Sequence, residues 1–180
     1  MKHCYECGAK LEMRELDGEG MVPFCPQCNT FRFPIFNVAV SAEILNPQKD
    51  KILLIQQYGK KRYLLVAGFV NKGESAEHAL VREVKEEMGL DVLEYKFMKS
   101  AYFPKSNTLI FNFNCVVNSE DLSGMTNEVD YSAWFPFDEA RERISEGILE
   151  EGALAEKLVN MFLDQYSPDD RFYPYTGIEF

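Results

Sequence analysis

The stretch GFVNKGESAEHALVREVKEEMGL, residues 68–90, constrains the fold more than any other part of the chain. Its second half has helical spacing. Ser75 is a fitting N-cap, Gly89 a fitting stop, and Leu80, Val84 and Met88 recur every fourth residue as one apolar stripe. A helix advances about 100° per residue, so Glu83, Glu86 and Glu87 project together beside that stripe. Like charges one turn apart repel by roughly 0.2–0.5 kcal/mol per pair on an exposed helix. A divalent cation offsets such repulsion, and carboxylate oxygens are the hard ligands that Mg2+ or Mn2+ prefers. The loop before the helix carries a further glutamate, Glu74, and the glycines Gly68 and Gly73, which permit unusual backbone angles and close approach to a ligand. Arg82 is spaced to pair with Glu74 and hold the loop against the helix. Read from charge alone, the favoured reading of this acidic face is a merely solvated helix surface.

Strand-like runs surround this helix. IFNVAVSAEIL (35–45), KILLIQQY (51–58) and YLLVAGFV (63–70) precede it, separated by the turns NPQKD and GKKR. VLEYKFMKSAYF (92–103), TLIFNFNCVVN (108–118) and the short SAWFPF (132–137) follow. Helices are expected near 138–146 and from about 152 to 165. Strands between helices predict an α/β fold (α+β), an α/β/α sandwich with a mixed sheet. The tail from 167 to 180 holds four aromatic residues, which suits docking on a surface rather than a free end. Cys115 sits in an apolar strand and reads as a small buried hydrophobe. His78 reads as a helix-surface residue.

The amino terminus is different. Cys4 and Cys7 form one C-x-x-C pair, Cys25 and Cys28 another, with seventeen residues (8–24) between them. That spacing is typical of a four-cysteine zinc site, with LDGEG as the turn of the hairpin between two knuckles. Four protein ligands leave no open position, so such a site is structural. Two disulfides or a redox pair are the alternative. The organisation expected is a zinc ribbon at 1–34, a catalytic domain at 35–166 and an aromatic tail at 167–180.

A formal net charge of −10 argues against tight, non-specific binding to nucleic acid. Residues 1–34 hold four basic and five acidic side chains, so the ribbon has no evident phosphate-binding face and reads as a packing or dimerisation module. No apolar run approaches the roughly 20 residues that span a bilayer, and no signal peptide is evident, so a cytoplasmic location is expected.

From Gly68 onward the pattern G-x5-E-x7-R-E-V-x-E-E-x-G-L resembles the Nudix box at every defined position: Gly68, Glu74, Arg82, Glu83, Val84, Glu86, Glu87, Gly89 and Leu90. The resemblance implies the Nudix fold and metal-dependent hydrolysis of a nucleoside diphosphate linked to another group. It implies that Glu83, Glu86 and Glu87 bind Mg2+ or Mn2+ and that Arg82 braces the loop. With a zinc ribbon directly upstream, and with Phe33-Pro34 and AGFV in place, the chain looks like the NADH pyrophosphatase branch. Members of that branch split NAD(H) into nicotinamide mononucleotide and AMP, and some remove NAD caps from RNA. By the same resemblance Glu128 is a fourth acidic residue that binds metal or prepares the attacking water. Phe69 and Phe103 fall where the branch stacks its nicotinamide or base, beside Gly68 and Thr108 in the substrate site, and a homodimer is implied.

Two departures matter. The ribbon begins at residue 4, where the branch carries a larger amino-terminal domain. Of the branch signature S-Q-P-W-P-F-P-x-S, the stretch SAYFPKSNT keeps Ser100, an aromatic at Phe103, one proline at Pro104 and a hydroxyl at Thr108, but lacks the glutamine and two of the prolines. ADP-ribose or a dinucleoside polyphosphate is therefore an alternative substrate. A non-catalytic nucleotide sensor, or a zinc-ribbon nucleic-acid adaptor, is the alternative of another class.

Overall fold

The computed structural model describes residues 1–146 and 154–177. The chain divides into two compact units, Met1–Phe36 and Asn37–Phe180. In the first, β1 (Glu12–Leu16), β2 (Gly20–Cys25) and β3 (Thr30–Phe31) form an antiparallel sheet. Leu16 and Gly20 face each other across the predicted LDGEG turn, where Gly18 and Gly20 take positive φ. Two tight turns bring the cysteine pairs together. Gly8 N–H donates to the Cys4 carbonyl (2.9 Å), and Cys28 N–H donates to Cys25 Sγ (3.3 Å).

The second unit is built on a mixed seven-stranded sheet. In chain order its strands are β4 (Asn37–Leu45), β5 (Lys51–Gln56), β6 (Val66–Phe69), β7 (Val92–Phe103), β8 (Thr108–Val117), β9 (Tyr131–Pro136) and β10 (Tyr173–Pro174). They lie in the order β10-β7-β8-β4-β5-β9, with β6 also on β4. Only the β4–β8 pair among these is parallel. β4 forks: Ala39–Ala42 pair with β6, while Ile44 and Leu45 pair with β5. The fork explains why the third strand is shorter than its sequence suggests. Leu64 bridges back to Ile55 of β5, whereas Val66 onward pairs with β4, so the run 63–70 is divided between two partners.

Among the described residues three α-helices cover the sheet: α1 (Ala76–Met88), α2 (Phe137–Ser145) and α3 (Leu154–Gln165). Alternate residues of a strand face opposite sides. Val40, Ala42 and Ile44 therefore join Leu80, Val84 and Met88 of α1 in one core. Leu45, Ile52, Leu54 and Val116 join Ile144 of α2 and Val159 and Phe162 of α3 in another. The result is the expected sandwich, helix, mixed sheet, helices. Cys115 is fully buried, as a small hydrophobe should be. The tail docks: β10 pairs with Glu94 and Tyr95 of β7, and Tyr175 N–H donates to the Leu93 carbonyl (2.9 Å). This alters the reading of His78, which is half-buried with its ring edge-on to Tyr175 at 6.2 Å. The expected helix start at 152 and the last aromatic residue, Phe180, lie outside the described residues. Among the described residues no helix is long and apolar enough to cross a membrane.

Candidate active site

Strand β6 and helix α1 bring the site together. Ser75 caps α1, its hydroxyl accepting from His78 N–H (3.1 Å), and Gly89 ends it at φ 71°. Arg82 is the hub. Its Nε and Nη2 donate to the two oxygens of Glu74 (2.8 and 2.9 Å), and Nη2 also donates to the Phe69 carbonyl (2.9 Å). Nη1 donates to Glu83 (2.7 Å) and to Glu86 (2.9 Å). The guanidinium thus ties the end of β6, the glycine loop and the acidic helix face into one piece. Hydrogen bonding from Arg82 holds the Glu74 carboxyl below its usual range, and Glu74 in turn keeps Arg82 charged.

Two carboxylates are pressed into unusual surroundings. Glu83 lies over β6 so closely that a Cβ on Gly68 would stand 1.9 Å from its Cδ. Glu87 is 4% exposed, and Gln57 Nε2 donates to its Oε2 (3.1 Å). Burial, and then the charges of Glu83 and Glu128, push the Glu87 carboxyl up to about 7. Glu86 is exposed. Glu128 is also exposed, on the loop after β8, with its charge felt at Glu87. A half-buried group of carboxylates with one shared arginine has spare negative charge. Its oxygen donors fit a hard divalent cation. Among the described residues only the four cysteines gather three or more ligand atoms within 4.8 Å of one another. The glutamates form no such group, although Arg82 Nη1 draws Glu83 and Glu86 to a shared donor.

A cleft of about 620 Å³ opens on the face of the sheet that α3 covers. Leu64, Leu65, Ala67, Ile110 and Leu158 make it apolar; Tyr58 and Phe103 add aromatic rings, and Arg62 and Lys105 positive charge. Gln57 lines the cleft and also bonds Glu87, so cleft and carboxylates share a wall. Of the expected substrate residues, Phe103 lines the cleft. Phe69 is 58% exposed at the end of β6. Thr108 is buried, its hydroxyl bonded within the β7–β8 turn to Ser106, and does not line the cleft. Gln57 had no signal in the sequence: its partner is thirty residues away, and it follows β5 as an ordinary polar strand end.

In the ribbon, the Sγ atoms of Cys4, Cys7, Cys25 and Cys28 all lie within 4.8 Å of one another. The Cys7 backbone N–H draws the Cys4 thiol down to about 6. Arg32 is 6% exposed; burial opposes its charge, but Glu6 and the Cys4 and Cys28 sulfurs hold it protonated. Four converging thiols beside a buried cation fit a thiophilic metal such as zinc.

A sandwich of this topology with this acidic helix defines a class. Residues 35–153 match the NUDIX domain model, and the chain belongs to that family of hydrolases. A NUDIX hydrolase from Nitrosomonas europaea shares the fold over 91% of this chain and 91% of its own, at TM-score 0.64 and 20% identity. A second structure from that organism reaches TM-score 0.60 at 25% identity, covering 81% of this chain and 97% of its own. Among curated proteins, the NAD-capped RNA hydrolase NudC of Pseudomonas aeruginosa (strain LESB58) is 29% identical over 139 residues, 76% of this chain and 48% of that protein. NudC of Vibrio vulnificus (strain CMCP6) is 26% identical over 168 residues, 91% of this chain and 62% of that protein. The chain thus spans from about half to three-fifths of the length of these relatives.

Proposed function

We propose that the protein hydrolyses the pyrophosphate bond of a nucleoside diphosphate-linked compound, NAD(H) first among them, to nicotinamide mononucleotide and AMP. The observation that carries this is the pairing of Glu83, seated on the bare backbone of Gly68, with the buried, charge-crowded Glu87. Glu83, Glu86 and Glu87, with Glu128, would hold Mg2+ or Mn2+. Such an ion would supply positive charge against the negative charge that builds on the phosphate oxygens, and would acidify the attacking water.

The chain's own residues do the rest. Arg82 spends its hydrogen bonds on the loop and the helix face, so it fixes the geometry of Glu83 rather than reaching for substrate. Gln57 orients Glu87. Glu128, exposed and close enough to act on Glu87, accepts the proton of the attacking water at its carboxylate. The cleft receives one nucleoside half, with an aromatic ring from Phe103 or Tyr58 against the base and Arg62 and Lys105 near its phosphate. NAD-capped RNA belongs to the same chemistry, and the names of the curated relatives support including it. The ribbon at 1–34 holds structural zinc in this proposal, the domain at 35–166 works in the cytoplasm, and a homodimer is the expected assembly.

The test is a panel of NADH, NAD+, ADP-ribose, FAD and Ap4A with Mg2+, read by identification of products. NADH giving reduced nicotinamide mononucleotide and AMP fastest supports the proposal. Faster cleavage of ADP-ribose or Ap4A moves the substrate assignment, and metal-independent or absent turnover across the panel rejects the enzyme.

A further inference from the structure

Asp130 lies two residues beyond Glu128 and is exposed, so packing gives it no role. Its hydrogen bonds are specific nonetheless. Asp130 N–H donates to the Gln56 carbonyl (2.8 Å), extending the β5–β9 pairing by one step. Its Oδ2 accepts from Gly59 N–H (2.7 Å). Between those two anchors runs the turn 57–60, closed by Lys60 N–H to the Gln57 carbonyl (3.2 Å). Tyr58 and Gly59 in that turn take φ of 63° and 66°. Tyr58 is 79% exposed, so no side-chain packing compensates a left-handed conformation that a non-glycine residue adopts only at a cost.

The turn begins with Gln57, whose Nε2 bonds Glu87. The loop that ends at Asp130 is fixed to the same helix by other means. Thr126 N–H donates to the Glu87 carbonyl (3.0 Å), and Gly124 lies so close to Gly89 that a Cβ on Gly89 would meet its Cα at 2.7 Å. The connections close a circuit: Glu87 to Gln57, along the turn to Gly59, across to Asp130, back along the loop past Glu128 to Thr126, and to Glu87 again.

We propose that Asp130 is a positioning residue for the hydrolysis, a clasp that keeps the strained 57–60 turn in place so that Gln57 stays bonded to Glu87. The inference rests on the reaction proposed above, but its geometry can be tested apart from it. Asp130→Ala removes the acceptor for Gly59 N–H and leaves the core untouched. With rates expressed per folded molecule from far-UV circular dichroism, kcat falls about tenfold while KM stays within threefold. Asp130→Asn, which retains an acceptor oxygen, recovers most of the rate. In a Gln57→Ala background the further loss from Asp130→Ala is under twofold, because the two residues act through one contact. A merely structural aspartate would give losses that multiply, and that outcome overturns the proposal, as does an Asp130→Ala rate within twofold of wild type. A second readout needs no substrate. The Gln57 side-chain amide protons, followed by NMR, exchange about tenfold faster in Asp130→Ala. Unchanged exchange overturns the proposal even if the wild type is an active hydrolase, while faster exchange in a protein that cleaves nothing upholds the clasp and rejects the reaction.

Discussion

Gly68 shows how much one absent side chain does. A methyl group there would stand 1.9 Å from Cδ of Glu83 and 2.0 Å from its Oε1. What it meets is the far end of a flexible side chain, which can swing away at little cost in stability. Gly68→Ala should therefore keep its melting temperature within a few degrees and lose at least tenfold in kcat, since Glu83 is displaced; full activity in that variant would detach Glu83 from the reaction. Glu43 makes the opposite kind of prediction, about stability. It is fully buried on β4, accepting from Asn112 (3.2 Å) and Asn114 (3.3 Å), and burial pushes its carboxyl from 4.5 up to about 8. Because the folded state holds this proton more tightly than the unfolded state, the stabilisation is complete below pH 4.5. It is lost as pH rises to about 8, with a slope of about 1.4 kcal/mol per pH unit inside that window. Glu43→Gln mimics the neutral acid, so denaturant melts should show it level with wild type near pH 5 and more stable at pH 8. Equal stabilities at both pH values would mean that Glu43 is ionised in the fold.

At the scale of elements, α1 carries its own instructions. The Ser75 cap, the Leu80–Val84–Met88 stripe and the Gly89 stop were legible because each depends on neighbours within one or two turns. Ser75→Ala should cost about 1 kcal/mol through loss of the His78 N–H bond, measurable as a shift in urea midpoint. The Arg82–Glu74 pair was legible for the same reason, eight residues apart across one loop. The strand expected at 63–70 is cut short because its two halves pair with different strands, and composition carries no record of which partner a residue finds. Gln57 and Asp130 were invisible for a related reason: their partners lie thirty and seventy-one residues away, and each contact exists only after the sheet has formed. The tail was half legible. Its aromatic content signalled docking, but not that Tyr173 and Pro174 would extend the sheet or that Tyr175 would cover His78.

At the scale of the whole molecule, two units with different sources of stability share one chain. The Asn37–Phe180 unit has two apolar cores, one on each face of its sheet. The Met1–Phe36 unit has few buried hydrophobic side chains, Val22, Phe24, Cys4 and Cys25, so metal binding and folding should be coupled there. A strong zinc chelator should raise amide exchange across 1–36 while the strands of the larger sheet keep their protection; an unmoved ribbon would point to stability without metal. The central claim is that the carboxylates of α1 hold the ion with which water cleaves a phosphate anhydride. The most direct test is Mg2+-dependent NADH hydrolysis by wild type, Glu86→Gln and Glu87→Gln, each checked for native circular dichroism. The account predicts that both variants fold normally and lose turnover by two or more orders of magnitude, roughly the scale of removing a group that stabilises the transition state. Near-normal turnover in both would contradict it.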